Sequence, residues 1–180
     1  IKNRILQLEK IKYFFISSQL PVGTCQQIEN FLSKKKIKKN IIYIPENLRL
    51  GNAIDNFLNP DRIIVGCRNN YNFDIIKKIF KPKKKFKLIK VKTESAELIK
   101  HSINCFLALS ISFINEIDSI SNQVGAKSKE IELGLKTEKR IGPRAYLSPG
   151  GAFSGGTLER DVRVLKSLSD KFKIKNQIIN

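Results

Sequence analysis

Residues 13–24, YFFISSQLPVGT, decide how the first half of the chain is read. Tyr13, Phe14, Phe15 and Ile16 are an apolar run of strand length, rich in aromatic and β-branched side chains. Pro21, Val22, Gly23 and Thr24 break that run, and residues 25–32 then carry apolar positions at helical spacing. The same pattern recurs downstream. Residues 41–44 read as a second strand stopped by Pro45, and residues 62–65 as a third stopped by Gly66. Residues 72–80 read as a helix and residues 86–91 as a further strand. Short apolar strands alternating with helices predict an open α/β sheet. Such sheets bind ligands beyond the carboxyl ends of their strands, so the loops at residues 17–24 and 45–53 are candidate site loops.

The character of the chain changes after residue 92. From Thr93 to Gln123 no Pro or Gly intervenes, and Thr93 and Gly125 are a plausible start and stop for one long helix. Leu98, Ile99, Ile103, Phe106, Leu107, Ile111, Phe113 and Ile114 cover most of its circumference, which predicts a mostly buried spine or a subunit interface. Glu97, Lys100, Asn104 and Asn115 fall within about 60° of one another at about 100° per residue. Such a stripe either faces solvent or meets a partner or ligand.

Composition sets bounds. Hydrophobic residues make up 41% of the 180, enough for a core. The chain begins with Ile1 and contains no Met, so it reads as an internal piece of a longer protein. No apolar run is read as approaching the ~20 residues of a membrane span. Cys25, Cys67 and Cys105 are widely and irregularly spaced, which fits neither a disulfide framework nor a metal site and suits a reducing cytoplasm. With His101 the lone histidine, a histidine-based metal cluster is excluded within these residues. The net charge of +18 is concentrated at residues 34–39 and 77–92. Phe80 and Phe86 lie within the second run, loosely like a single-strand groove. Lysine far outnumbers arginine there, so both runs read as solvated faces rather than a nucleic-acid site.

Residues 148–161, SPGGAFSGGTLERD, hold four glycines and lead into a helical pattern at residues 158–168. A glycine-rich loop opening into a helix N-terminus offers bare N–H groups to an anionic ligand, although alone it is equally a turn.

Five stretches, in this order, resemble the UDP-glucose/GDP-mannose dehydrogenase family. They are SQLPVGT at 18–24, PENLRLGNAIDNFLNPDRIIVG at 45–66, AELIKHSINCFLALSISFINE at 96–116, RIG at 140–142 and YLSPGGAFSGGTLERD at 146–161. The resemblance implies an α/β fold, with residues 1–92 the tail of a Rossmann-like NAD-binding domain. Residues 93–180 would then start a mostly helical central dimerisation domain. It also implies a cytoplasmic homodimer that uses NAD to oxidise the primary alcohol of a nucleotide sugar toward the uronic acid, with neither nucleic acid nor membrane as a partner. UDP-glucose or a UDP-hexosamine is the favoured type, because DRIIVG leans toward the UDP-sugar branches, and the product would serve polysaccharide precursor synthesis.

Carried over residue by residue, Glu46 matches the glutamate near the reacting sugar and the cofactor. Lys100 and Asn104 match the lysine and asparagine that hold the developing oxyanion and a water, and Asp161 the aspartate of the proton chemistry. Lys100 and Asn104 are expected to face the loop at 148–157. Tyr146, Gly150, Phe153 and Gly155 fall in the segment that wraps the nucleotide sugar. Departures are equally specific. Thr157 stands at the family's catalytic cysteine, Gln19 at its active-site threonine, Leu50 at its second glutamate, and Arg160 at the lysine before the aspartate. Gln19 and Arg160 keep the cofactor-side positions. Cys105 lies about 140° around the helix from Lys100, reads as a small core residue, and does not replace the missing thiol. No histidine is evident beside Thr157 to activate it. These departures leave open a variant limited to one oxidation, or a silent nucleotide-sugar-binding homologue.

Overall fold

A computed structural model of the chain describes every residue except 9, 47, 49, 50, 81–85, 154, 155 and 176–180. Strand β1 (Tyr13–Ile16) and strand β2 (Asn40–Tyr43) pair in parallel, with Phe14 opposite Ile41 and Ile16 opposite Tyr43. Helix α2 (Thr24–Lys34) connects them. Strand β3 (Arg62–Gly66) and strand β4 (Lys87–Val91) form a second parallel pair around helix α4 (Asn70–Phe80). Parallel strands need such a crossover, and a helix supplies it on each side. The expected elements appear within three residues of their anticipated ends. The short helices α1 (Lys2–Gln7), α3 (Ala53–Leu58) and α6 (Ser128–Thr137) were not anticipated. Helices α3 and α6 bury no side chain, so no apolar stripe announces them.

The two parallel pairs meet antiparallel through the single partnership Tyr43–Gly66, giving the mixed order β1-β2-β3-β4. The carboxyl ends of β2 and β3 therefore converge. Gly66 is required there. A Cβ at this position would lie 2.7 Å from the Ala96 Cβ and 3.0 Å from the Thr93 Cα, so the start of helix α5 (Thr93–Val124) approaches the sheet over a bare backbone. Ile16, Cys25, Ile28, Leu32, Ile41, Tyr43 and Ala96 pack together in one buried cluster. Ile42, Val65, Cys67 and Ile76 form another. Alternation along β2 and β3 sends neighbouring residues to opposite faces, which is why Ile41 and Ile42 belong to different clusters.

Arg68, just beyond β3, ties three elements together. Its guanidinium donates to Glu29 and Gln26 on α2, with the Glu29 Oε2 2.7 Å away, and to Glu94 in the first turn of α5. Hydrogen bonding to Arg68 holds the Glu94 carboxyl below its usual range.

Helix α5 (Thr93–Val124) is continuous over 32 residues and ends at Gly125, whose φ of +71° is the left-handed stop glycine tolerates. The chain divides within it into two compact units, Ile1–Lys100 and His101–Asn180. The second unit adds α6 and helix α7 (Leu158–Lys171).

The burial of α5 reverses the expectation. Glu97, Lys100, His101 and Asn104 are buried, whereas Phe106 is 67% exposed and Leu109, Phe113, Ile120 and Val124 also face outward. The helix is thus not mostly buried in this chain. A hydrophobic circumference cannot reveal which side its own chain covers, and here the polar side is covered because each polar group finds a protein partner. Contrary to the expectation that no apolar run approaches a membrane span, α5 is long and apolar enough, by length and composition alone, to cross a membrane.

Candidate active site

In the first unit the candidate residues follow the strands. Gln19 lies in the loop after β1, half-buried, and Glu46 follows β2 directly after Pro45. Because β1 and β2 are parallel, both residues lie at the same carboxyl edge. Glu46 is exposed, its Oε2 accepts the Leu48 N–H at 2.8 Å, and it borders a cleft lined by Phe15, Ile44, Pro45, Phe57 and Arg62. Leu50, at the family's second glutamate, lies outside the described residues.

The loop carrying Gln19 is anchored by Glu97. This carboxylate is fully buried and accepts the Gly23 N–H at 2.6 Å and the Cys25 N–H at 2.9 Å. Both donors belong to the N-terminus of α2, where such groups have no helical partner and the helix dipole favours a negative charge. Lys100 lies three residues further along α5 and is buried to 9% exposure. Asn104 follows one turn later on the same face.

In the second unit the chemistry gathers around Asp161, fully buried near the start of α7. Its Oδ2 accepts the Asn104 side-chain amide, and its Oδ1 lies 3.0 Å from the His101 Nδ1. The exposed Arg160 places its Nε 3.8 Å from the same Oδ1. Thr157 is the N-cap of α7, exposed, with no side-chain hydrogen bond to the helix; its carbonyl accepts the Asp161 N–H at 3.2 Å. Cys105 is buried, and burial followed by the Asp161 charge pushes its thiol up to about 11, so it offers no thiolate.

The glycine-rich loop is held at its start. Asn115 accepts the Gly150 N–H at 3.0 Å and reaches the Gly151 carbonyl at 3.5 Å. Ser148 donates to Glu132 on α6 at 2.6 Å, and Lys136 donates to the same oxygen at 2.5 Å. Lys136, with Ser148 second, holds the Glu132 carboxyl below its usual range. Tyr146 is 46% exposed, Phe153 is half-buried, and Gly155 lies outside the described residues.

Asp161 and Asn104 are therefore brought together, and the α5 stripe meets protein rather than water. Two contributors, His101 and Glu132, were not anticipated, and Glu97 was placed on the stripe without its partner. His101 had been used only to exclude a metal site, yet it bonds the aspartate one turn beyond Thr157. It follows Glu97 by four residues and precedes Asn104 by three, so its place on the stripe was available from spacing. Glu97 and Glu132 act on partners 74 and 16 residues away, and no local pattern announces such contacts.

The chain thus joins an α/β sheet to a helical unit that carries a buried aspartate and a glycine-rich loop. Residues 3–84 match the NAD binding domain of the UDP-glucose/GDP-mannose dehydrogenase family, and residues 94–180 match its central domain. The chain belongs to that family. It is 37% identical over 177 residues to UDP-glucose 6-dehydrogenase of Rickettsia bellii, covering 97% of this chain and 39% of the relative. It is 33% identical over 179 residues to UDP-glucose 6-dehydrogenase TuaD of Bacillus subtilis, covering 96% and 38%. The solved UDP-glucose dehydrogenase of Pyrobaculum islandicum superposes with a TM-score of 0.82 at 26% identity, over 90% of this chain and 38% of that one. The chain thus spans about two fifths of the length of the relatives it matches.

Proposed function

We propose that the protein containing these residues oxidises the primary alcohol of a nucleotide sugar of the UDP-glucose or UDP-hexosamine type, with NAD as acceptor, in polysaccharide precursor synthesis. The observation that carries this reading is the fully buried Asp161 carboxylate, held by Asn104 and one turn from Thr157. Residues 1–92 then serve as the tail of the cofactor domain and residues 93–180 as the start of the central domain.

Bound NAD supplies the hydride acceptor, and Gln19, Glu46 and Arg160 are the residues here that would hold it. Gln19 and Glu46 follow the carboxyl ends of β1 and β2, and Glu46 borders a cleft whose largely apolar lining suits a flat ring. Tyr146, Gly150, Phe153 and Gly155 hold the nucleotide sugar. Lys100 and Asn104 stabilise the alkoxide as the alcohol proton leaves, and Asp161 and Glu46 serve the proton's removal. All of this suffices for the step from alcohol to aldehyde.

The step from aldehyde to acid is different. In the family a thiolate adds to the aldehyde, and the resulting thiohemiacetal gives up the second hydride. Thr157 carries a hydroxyl, which ionises far less readily than a thiol. The second oxidation is therefore expected to be slow or absent in the full-length protein. Counting NADH formed per sugar consumed, with the product identified by mass spectrometry, tests this. One NADH and an aldehyde support the reading. Two NADH and a uronic acid at ordinary turnover overturn the single-oxidation claim. No NADH despite measurable sugar-nucleotide binding favours the silent homologue, to which the departures at Gln19, Leu50 and Thr157 also point.

The outward face of α5, with Phe106, Leu109 and Phe113 exposed, supports a homodimer through the central domain. Light scattering on the full-length protein is expected to give twice the chain mass, and a monomer at micromolar concentration would refute the assembly.

A further inference from the structure

Family motifs assign no role to His101, yet its side chain is 2% exposed and its Nδ1 lies 3.0 Å from the Asp161 Oδ1. We propose that His101 is a positioning residue for Asp161, fixing the plane of the carboxylate that takes part in alcohol oxidation. The proposal rests on the dehydrogenase reading above.

An ionised carboxylate only accepts hydrogen bonds, so the hydrogen between these atoms belongs to the His101 Nδ1. Neutral imidazole in that tautomer and the imidazolium both donate there, so the contact persists whichever form is present. A carboxylate held through one oxygen can still turn about its Cβ–Cγ bond. Asp161 is held through both, since Asn104 donates to Oδ2 while His101 addresses Oδ1. The two donors stand three residues apart on α5 and so project from one face. The Arg160 Nε stands 3.8 Å from Oδ1 on an exposed guanidinium, beyond hydrogen-bond distance. An apolar side chain at position 101 would fill the space while withdrawing the Nδ1 donor 3.0 Å from that oxygen. Misorientation of a reacting group by about 1 Å can cost about 10²-fold in rate.

The test uses the full-length protein with NAD and, in turn, UDP-glucose, UDP-N-acetylglucosamine and GDP-mannose. Two variants are compared, His101→Leu and His101→Asn. The asparagine Nδ2 stands where the histidine Nδ1 stood, so it restores the donor without the ring. His101→Leu is expected to lower kcat by about 10- to 100-fold with KM for the sugar nucleotide within about threefold of wild type. His101→Asn is expected to recover kcat to within about fivefold of wild type. Unfolding midpoints of both variants separate misfolding from misplacement, because a purely packing role predicts that asparagine, the smaller and more polar residue, rescues worse than leucine. Wild-type kcat in His101→Leu, or a loss that His101→Asn does not restore, overturns the proposal while leaving the dehydrogenase reading intact. A wild-type protein forming no NADH from any of the three sugars overturns the dehydrogenase reading, and the positioning role with it.

Discussion

Replacing Glu97 by leucine in the full-length protein is expected to cost about 3 kcal/mol of folding stability, read as a lower denaturant midpoint for the unit that contains the sheet. The carboxylate is fully buried and accepts two backbone N–H groups of the α2 N-terminus. Leucine matches the bulk but accepts neither. A buried donor left without a partner costs about 1–3 kcal/mol, and there are two of them, at Gly23 and Cys25. Relief of the buried negative charge offsets part of the resulting ~2–6 kcal/mol, which brings the total toward its lower half. Glutamine keeps one acceptor oxygen, so Glu97→Gln is expected to lose roughly half as much. An unchanged midpoint in Glu97→Leu would mean that the loop and helix end find other partners at little cost. The same variant separates stability from chemistry, because Glu97 anchors the loop bearing Gln19 without itself being assigned a reacting role.

The second large effect concerns Lys100. In Lys100→Met, kcat for NADH formation is expected to fall by about 10²- to 10³-fold, with a much smaller change in KM. Methionine preserves the length and apolar stem of the side chain and removes the charge alone. Lys100 is buried to 9% exposure, and in a water-poor site a fixed cation stabilises a developing alkoxide far more than it would in bulk solvent. Because the alkoxide charge exists mainly in the transition state, the loss belongs in kcat. Arginine is not an adequate substitute, since its planar fork fills a different volume and directs its donors elsewhere. A Lys100→Met enzyme with kcat within threefold of wild type would remove the lysine from the proposed mechanism.

Much of the fold was legible because each strand is a short apolar run with a marked end. Pro45 follows β2 and Gly66 closes β3, so their ends could be read directly. Strand order was not legible. Nothing local in NIIY or RIIVG says that the two pairs meet antiparallel through Tyr43 and Gly66. The site was legible where chemistry repeats along one helix, as in the stripe that includes Lys100 and Asn104. It was illegible where a residue acts on a distant segment, as His101 does on Asp161 across 60 positions. The burial of α5 failed for a related reason: periodicity records how polar a face is, while the partner covering it decides whether that face lies inside.

That inversion bears on how these residues can be handled as a material. Produced alone in water, the 180-residue chain would carry Phe106, Phe113, Ile120 and Val124 uncovered along one helix. Strips of that kind drive non-specific association and retention on apolar matrices. Detergent would coat the same strip, and the preparation would then behave on a column like a membrane protein although its polar face is occupied by hydrogen bonds to its own chain. Polar replacements confined to those four positions are the economical remedy for solubility, since they leave Glu97, His101, Asn104 and Asp161 untouched.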